Sequence, residues 1–223
     1  MNYPDEGGPE LPEFAENPEP SCPCILLLDT SGSMNGAPLQ ALNQGLKTFQ
    51  TDIQQDDLAR RRVEVAIVTF GNGGVQIIQD FVKAGQFQAP TLSAGGDTPM
   101  GKAINRALDM LRDRKAMYNA NAIPSYRPWI FMITDGAPTD EWQTAARRVY
   151  DEEAAKGMAF FAVGVAGANM QTLVQIAVRK PVMLQGLKFT EMFLWLSRSQ
   201  QLVSASKLGE QTALPSIDDW ASV

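Results

Sequence analysis

Three short stretches of the 223-residue sequence gather oxygen-bearing side chains of the kind that hold a hard metal ion. The first is Asp29-Thr30-Ser31-Gly32-Ser33, the second Gly95-Gly96-Asp97-Thr98-Pro99, the third Thr134-Asp135-Gly136. From them Asp29, Ser31, Ser33, Thr98 and Asp135 offer only carboxylate and hydroxyl oxygens. Magnesium and manganese favour such donors in near-octahedral geometry and keep some of their water. Hydroxyls at alternate positions of a tight turn can face one point, with Gly32 relieving the backbone between them. With two carboxylates and otherwise neutral hydroxyls, the cation stays poorly neutralised and binds weakly alone. It then attracts a further anionic oxygen from outside, which a Glu or Asp of a partner protein would supply. Metal and partner reinforce each other, as linkage requires.

The elements that must position these loops follow from the apolar pattern. Residues 24–29 form an apolar run ending in an acid, and residues 128–134 form another that runs into Asp135. Such runs suit central parallel strands buried on both faces. Leu39, Leu42, Leu46, Phe49 and Ile53 recur at helical spacing behind Pro38 and predict the first helix. Residues 63–70 and 75–81 read as a hairpin around Gly71-Asn72-Gly73-Gly74, at the sheet edge. Residues 83–99 read as loop, and Met100, Ile104, Leu108 and Leu111 mark the second helix. A third helix is expected over 141–156, stopped by Gly157, then a strand over 158–165. A helix over 170–178, a short strand at 182–184 and a last helix over 190–206 follow, the last turning Met192, Leu196 and Val203 inward.

Strands alternating with helices predict an α/β fold. Its sheet is doubly wound and mostly parallel, with one antiparallel edge strand and helices on both faces. Ligands of such sheets bind beyond the carboxyl ends of the strands, where the three loops converge. The chain divides into an acidic, Pro-rich lead-in over 1–21, a domain over 22–206, and a tail over 207–223 that lies across the surface.

Composition narrows the chemistry. There is no histidine, which removes the usual general base and His-ligated zinc. Cys22 and Cys24 are too few for a disulfide framework and read as small apolar residues entering the first strand. The net charge of -6 argues against nucleic acid as partner, and Arg60-Arg61-Arg62 reads as a solvated helix end. The lead-in has no signal-peptide pattern, and no apolar run approaches a membrane span, so the chain reads as cytoplasmic.

Asp29-x-Ser31-x-Ser33, with Thr98 and Asp135 on later loops, resembles the metal-ion-dependent adhesion site of von Willebrand A domains. The resemblance runs over 24–206 and implies that the serines and threonine coordinate the cation directly. It implies that the aspartates act largely through water and that a partner's acid completes the shell. Leu27-Leu28-Asp29-Thr30-Ser31-Gly32-Ser33-Met34, the Gly95-Gly96 loop, and the segments Phe193-Leu194-Trp195-Leu196-Ser197 and Ala213-Leu214-Pro215 are similar to TerY-type proteins of bacterial tellurite-resistance and stress operons. That resemblance implies a phosphatase or a kinase as partner. The long acidic lead-in and Asp97 depart from that group's pattern.

Blander readings compete at each position. Asp29 and Ser33 could simply cap the first helix. The stretch 96–103 nearly fits a phosphate-binding loop but has Ala103 where magnesium needs a hydroxyl, so Lys102 reads as a solvated helix residue. Asp97 reads as a charge at a helix N-terminus, and Asp140 and Glu141 as the acidic first turn of the third helix. Trp129 and Trp142 read as core or strand-end residues. For Trp195 and Trp220, a packing latch and a partner anchor stand side by side. The function expected is a non-enzymatic, metal-dependent interaction module. The alternatives are a metal-dependent hydrolase or phosphatase, which lacks an evident nucleophile and base, and a scaffold that binds through the last helix and tail.

Overall fold

A computed structural model describes residues 19–222. The lead-in expected over 1–21 therefore lies almost wholly outside the described residues.

The first strand, β1 (Cys22–Thr30), is buried along all nine residues. Its side chains alternate between two cores. Cys22, Cys24, Leu26 and Leu28 enter one, and Ile25 and Leu27 the other. Only a strand covered on both faces needs such a continuous apolar run. Helix α1 (Ala37–Gln55) follows with Pro38 in its first turn, and a short α2 (Ala59–Arg62) leads into β2 (Val63–Gly71). β2 pairs with β1 in parallel and turns back through β3 (Gly74–Lys83), which pairs antiparallel with β2. The β2–β3 register shifts twice, between Val65 and Ile67 and again between Ile67 and Val68.

The chain then crosses to the other side of β1. Helix α3 (Met100–Ala120) leads to β4 (Trp129–Thr134), which pairs in parallel with β1. Helix α4 (Gln143–Ala154), β5 (Ala159–Gly164), α5 (Met170–Ile176), β6 (Val182–Leu184) and α6 (Phe189–Ala205) complete the winding. The sheet order is β3-β2-β1-β4-β5-β6-β7. Helices α1 and α6 cover one face, where Phe49 meets Phe193 at 6.0 Å between ring centroids, and α3, α4 and α5 cover the other. The doubly wound α/β fold expected from the sequence is the fold observed. Between β1 and β4 the winding reverses, and a crevice opens at their carboxyl ends.

Some local expectations need correction. The tail does cross the surface, but its end enters the sheet as β7 (Ala221–Ser222), antiparallel to β6. Trp220 is 2 % exposed, with its ring 5.3 Å from that of Trp195, whose Nε1 donates to Pro215 O at 2.9 Å. Both rings pack inside the molecule, which decides for the packing latch, although the buried Trp220 Nε1 has no hydrogen-bond partner among the described residues. Arg62 is not a solvated helix end. It binds Glu19 at 2.6 Å and donates to Ser204 O at 2.7 Å. Helix α3 runs well past Leu111 because Arg114 and Tyr118 also face inward, where an apolar count cannot see them. After α4 the left-handed turn is made by Lys156 (φ 55°), ahead of Gly157. Cys22 and Cys24 are buried core residues, and burial pushes both thiols up, Cys22 to about 12. Among the described residues no helix is long and apolar enough to cross a membrane.

Candidate metal centre

β1 and β4 run side by side and end at the same edge, so their terminal acids come together. Asp29 is the penultimate residue of β1 and is fully buried, while Asp135 follows β4 and is 7 % exposed. Asp29 Oδ1 accepts the N–H of Ser31 at 2.8 Å, which folds the loop back over the carboxylate. Its Oδ2 accepts the hydroxyl of Thr134 at 2.5 Å. Ser33 donates to Asp135 Oδ1 at 2.8 Å, and the Ser31 and Ser33 hydroxyls lie 3.0 Å apart. Ser33 has one proton and gives it to Asp135, so Ser31 donates to Ser33. A run of hydroxyls thus links the first loop to the third.

Thr98 comes from the second loop and is buried. Its backbone is tied to the third loop by Thr98 N–H to Thr139 Oγ1 at 3.1 Å and Thr139 N–H to Thr98 O at 2.9 Å. A β-carbon placed on Gly136 would stand 3.2 Å from Thr98 Oγ1 and 3.8 Å from Asp29 Oδ2. The missing side chain leaves that space to the oxygens. Gly71 serves the first loop similarly. It has φ 142°, and a β-carbon there would fall 2.3 Å from Ser31 N, so the end of β2 can press against the loop only as glycine.

All five residues singled out in the sequence border this one crevice. They form a gradient from fully buried Asp29, through nearly buried Ser31, Thr98 and Asp135, to exposed Ser33. Burial pushes the Asp29 carboxyl up from its ordinary value. Hydrogen bonds from Ser31 and Thr134 work against this, and repulsion from Asp135 adds to it. Burial raises Asp135 too, opposed by the Ser33 hydroxyl. Among the described residues no Lys or Arg pairs with either acid. Two crowded acids without a protein counter-charge, ringed by hydroxyls, are a donor set that fits a hard dication.

The capping alternative fails here. Gly36 occupies the cap of α1, and neither Asp29 nor Ser33 bonds that helix. Lys102 is an exposed helix residue, as expected. Asp97 is exposed and precedes the Pro99 cap of α3. Asp140 proves to belong to a different helix from the one expected. Its carboxylate accepts the N–H groups of Gly101 at 2.9 Å and Lys102 at 2.8 Å, so it caps α3 across 39 and 38 residues of chain. Glu141 accepts from Thr144 N–H at 2.8 Å, at the start of α4. Asp140→Ala is expected to lower stability by about 1 kcal/mol, the usual loss of an N-terminal cap. Urea unfolding of both forms checks it, and an unchanged midpoint would mean that water replaces the carboxylate at no loss. Thr134 and Thr139 were not foreseen as anchors. Thr134 was visible only as the residue before an acid, and Thr139 carried no signal.

The family model of the von Willebrand factor type A domain matches residues 24–191. Among solved structures, the open pilus adhesin SpaC of Lactobacillus rhamnosus GG superposes with a TM-score of 0.65 at 17 % identity, covering 82 % of this chain and 30 % of the adhesin. A von Willebrand factor type A protein from Catenulispora acidiphila gives 0.60 at 16 % identity, covering 82 % and 43 %. Proximal thread matrix protein 1 of the mussel byssus, with zinc in its metal-ion-dependent adhesion site, gives 0.56 at 18 % identity, covering 83 % and 49 %. At these identities the likeness is one of fold, and this chain spans less than half the length of each. No curated protein matches it in sequence.

Proposed function

This chain belongs to the von Willebrand factor type A domain family, whose members are interaction modules and often metal-dependent, and we propose that it grips an acidic side chain of a partner protein through a bound divalent cation. In this reading Asp29, Ser31, Ser33, Thr98 and Asp135 hold magnesium or manganese. Bound there, the cation supplies a point of positive charge with affinity for an outside carboxylate. The chain's own part is positional. Thr134 fixes the Asp29 carboxylate, and Thr139 holds the Thr98 loop against the Asp135 loop. The single observation that carries the reading is the pair of buried, unpaired acids linked through Ser31 and Ser33.

The same reading makes the chain a binding module and not an enzyme: the Asp135 and Asp29 carboxylates that accept the Ser33 and Thr134 hydroxyls serve there to hold the cation. Residues 22–206 form the binding domain, 1–21 its lead-in and 207–223 a tail that braces it. Its similarity to TerY-type proteins supports a cytoplasmic role beside an operon-associated phosphatase or kinase in a stress or tellurite-resistance system.

Titration calorimetry with magnesium and with manganese tests the reading. Saturable binding to the wild type, absent in Asp29→Ala, is expected. Ser33→Ala is expected to keep the fold and weaken cation binding about tenfold or more, since it removes one oxygen and the link to Asp135. Equal affinity in all three proteins would remove the site from consideration. Loss of folding in Ser33→Ala without change in metal affinity would make Ser33 a structural residue.

A further inference from the structure

Beside the metal loop, on the hairpin side, lies a cleft of ≈ 110 Å³. Thr30, Thr69 and Leu92 form its floor and are buried, while Asn72, Gln76 and Ser93 stand exposed at its rim. Thr30 belongs to both sites, because it sits between Asp29 and Ser31. Its carbonyl accepts the N–H of Asn72 at 3.2 Å and of Gly95 at 2.9 Å. The wall of the cleft and the metal loop are therefore one piece of backbone, and the cleft adjoins the metal crevice.

The polar groups around the cleft are mostly engaged. The Thr30 hydroxyl donates to Phe70 O at 3.4 Å, and Asn72 Nδ2 donates to Ser93 Oγ at 3.0 Å. Thr69 differs. It is 3 % exposed, it lines the cleft, and its hydroxyl has no hydrogen-bond partner among the described residues. The Thr69 oxygen is not sealed from solvent, so it presents a donor and an acceptor to whatever occupies the cleft. No lining residue is charged. A charged group entering would lose water and meet no counter-charge. A purely apolar group would leave Thr69 unmet. The space suits one short side chain in place of a few waters.

We propose that this cleft is a specificity subsite that takes an uncharged hydrogen-bonding side chain (Asn, Gln, Ser or Thr) standing at a fixed spacing from the partner's metal-bridging acid. The inference rests on the metal-bridging reading of the neighbouring crevice. Ile78, exposed at the outer lip, gives the stem of such a side chain an apolar surface. The Thr69 hydroxyl gives its head a donor and an acceptor.

The test is a library of short peptides, each with a central aspartate and randomised neighbours, screened on the full chain with magnesium and again with chelator. The wild type is expected to enrich Asn, Gln, Ser or Thr at one offset from the aspartate, in magnesium only. Thr69→Val keeps the shape and removes the hydroxyl. It is expected to bind magnesium unchanged, to lose about tenfold in affinity for the enriched peptides, and to lose the preference at that offset. Ser93→Phe, which fills the mouth of the cleft, is expected to lose the same preference. Magnesium-dependent enrichment of aspartate with no favoured neighbour, or a preference unchanged in Thr69→Val, would overturn the subsite and leave the metal-bridging function standing. Peptides retained equally in chelator, or none retained by the magnesium-loaded chain, would overturn both.

Discussion

Glu64→Ala is expected to lose about 3–5 kcal/mol of folding stability, the range for removing one partner of a buried charge cluster. Glu64 is the second residue of β2 and is fully buried. Lys83 reaches it at 2.7 Å from β3, and Arg114 at 2.8 Å from α3. The Tyr118 hydroxyl donates to the same carboxylate oxygen as Arg114, and Ser21 donates to the other at 3.2 Å. Alanine would leave the guanidinium of Arg114, itself 8 % exposed, buried without its anion. The rings of Phe81 and Tyr118, 5.3 and 5.4 Å from that guanidinium, offset only part of the loss. Urea unfolding measures it, and a loss below about 1 kcal/mol would show that the cluster opens to water instead.

The same residue sets an acid limb of stability. Burial works to raise the Glu64 carboxyl, but Lys83 and Arg114 outweigh it, and the net direction is below the ordinary value of 4.5. A depressed carboxylate contributes stability that is present above its unfolded value and lost as pH falls through the folded one. Wild type should lose this contribution on acidification below 4.5, and Glu64→Ala should show a shallower limb there. Parallel limbs in the two proteins would assign the acid sensitivity to other groups.

Trp220→Ala is expected to be nearly as damaging, at about 3–5 kcal/mol for a buried indole. The ring closes the core against Trp195, and the backbone around it is tied down. Gln185 N–H donates to Trp220 O at 2.8 Å, Gln185 Nε2 donates to Ala221 O at 3.0 Å, and Lys188 Nζ donates to Asp219 O at 2.8 Å. Trp220 sits beyond β6, far along the sheet from β1, so magnesium affinity of the folded variant should be unchanged. A variant of wild-type stability would mean that the tail rests on the domain without supporting it.

The elements and the candidate site differed in how much the sequence disclosed. β1 and β4 were legible because a strand covered on both faces is apolar along nearly its whole length, and each has an acid at its carboxyl end, Asp29 within β1 and Asp135 just after β4. Once those strands are neighbours, the convergence of Asp29, Ser31, Ser33 and Asp135 follows from topology. What escaped depends on partners far apart in the chain. Glu64 reads as an interruption of a strand until Lys83, Arg114 and Tyr118 supply its setting from two other elements. Asp140 looks like the start of the nearest helix, and only the folded chain places it on α3. Trp220 lies in a segment of mixed composition, and two residues of strand leave no periodic pattern. Thr134 hides beside Asp135, which draws attention first.

The two rims of the sheet share a property with consequences for how the molecule behaves when crowded. One rim is β3, which exposes Ile77 and Ile78 and would otherwise invite a foreign strand. Its two register shifts disturb the regular row of N–H and C=O groups that such a strand would need. The other rim, β7, has two residues and offers too short a template. Both features, among the described residues, work against growth of the sheet into a fibre. The loops that carry the candidate site can thus engage a partner with less competition from strand-to-strand pairing at the rims.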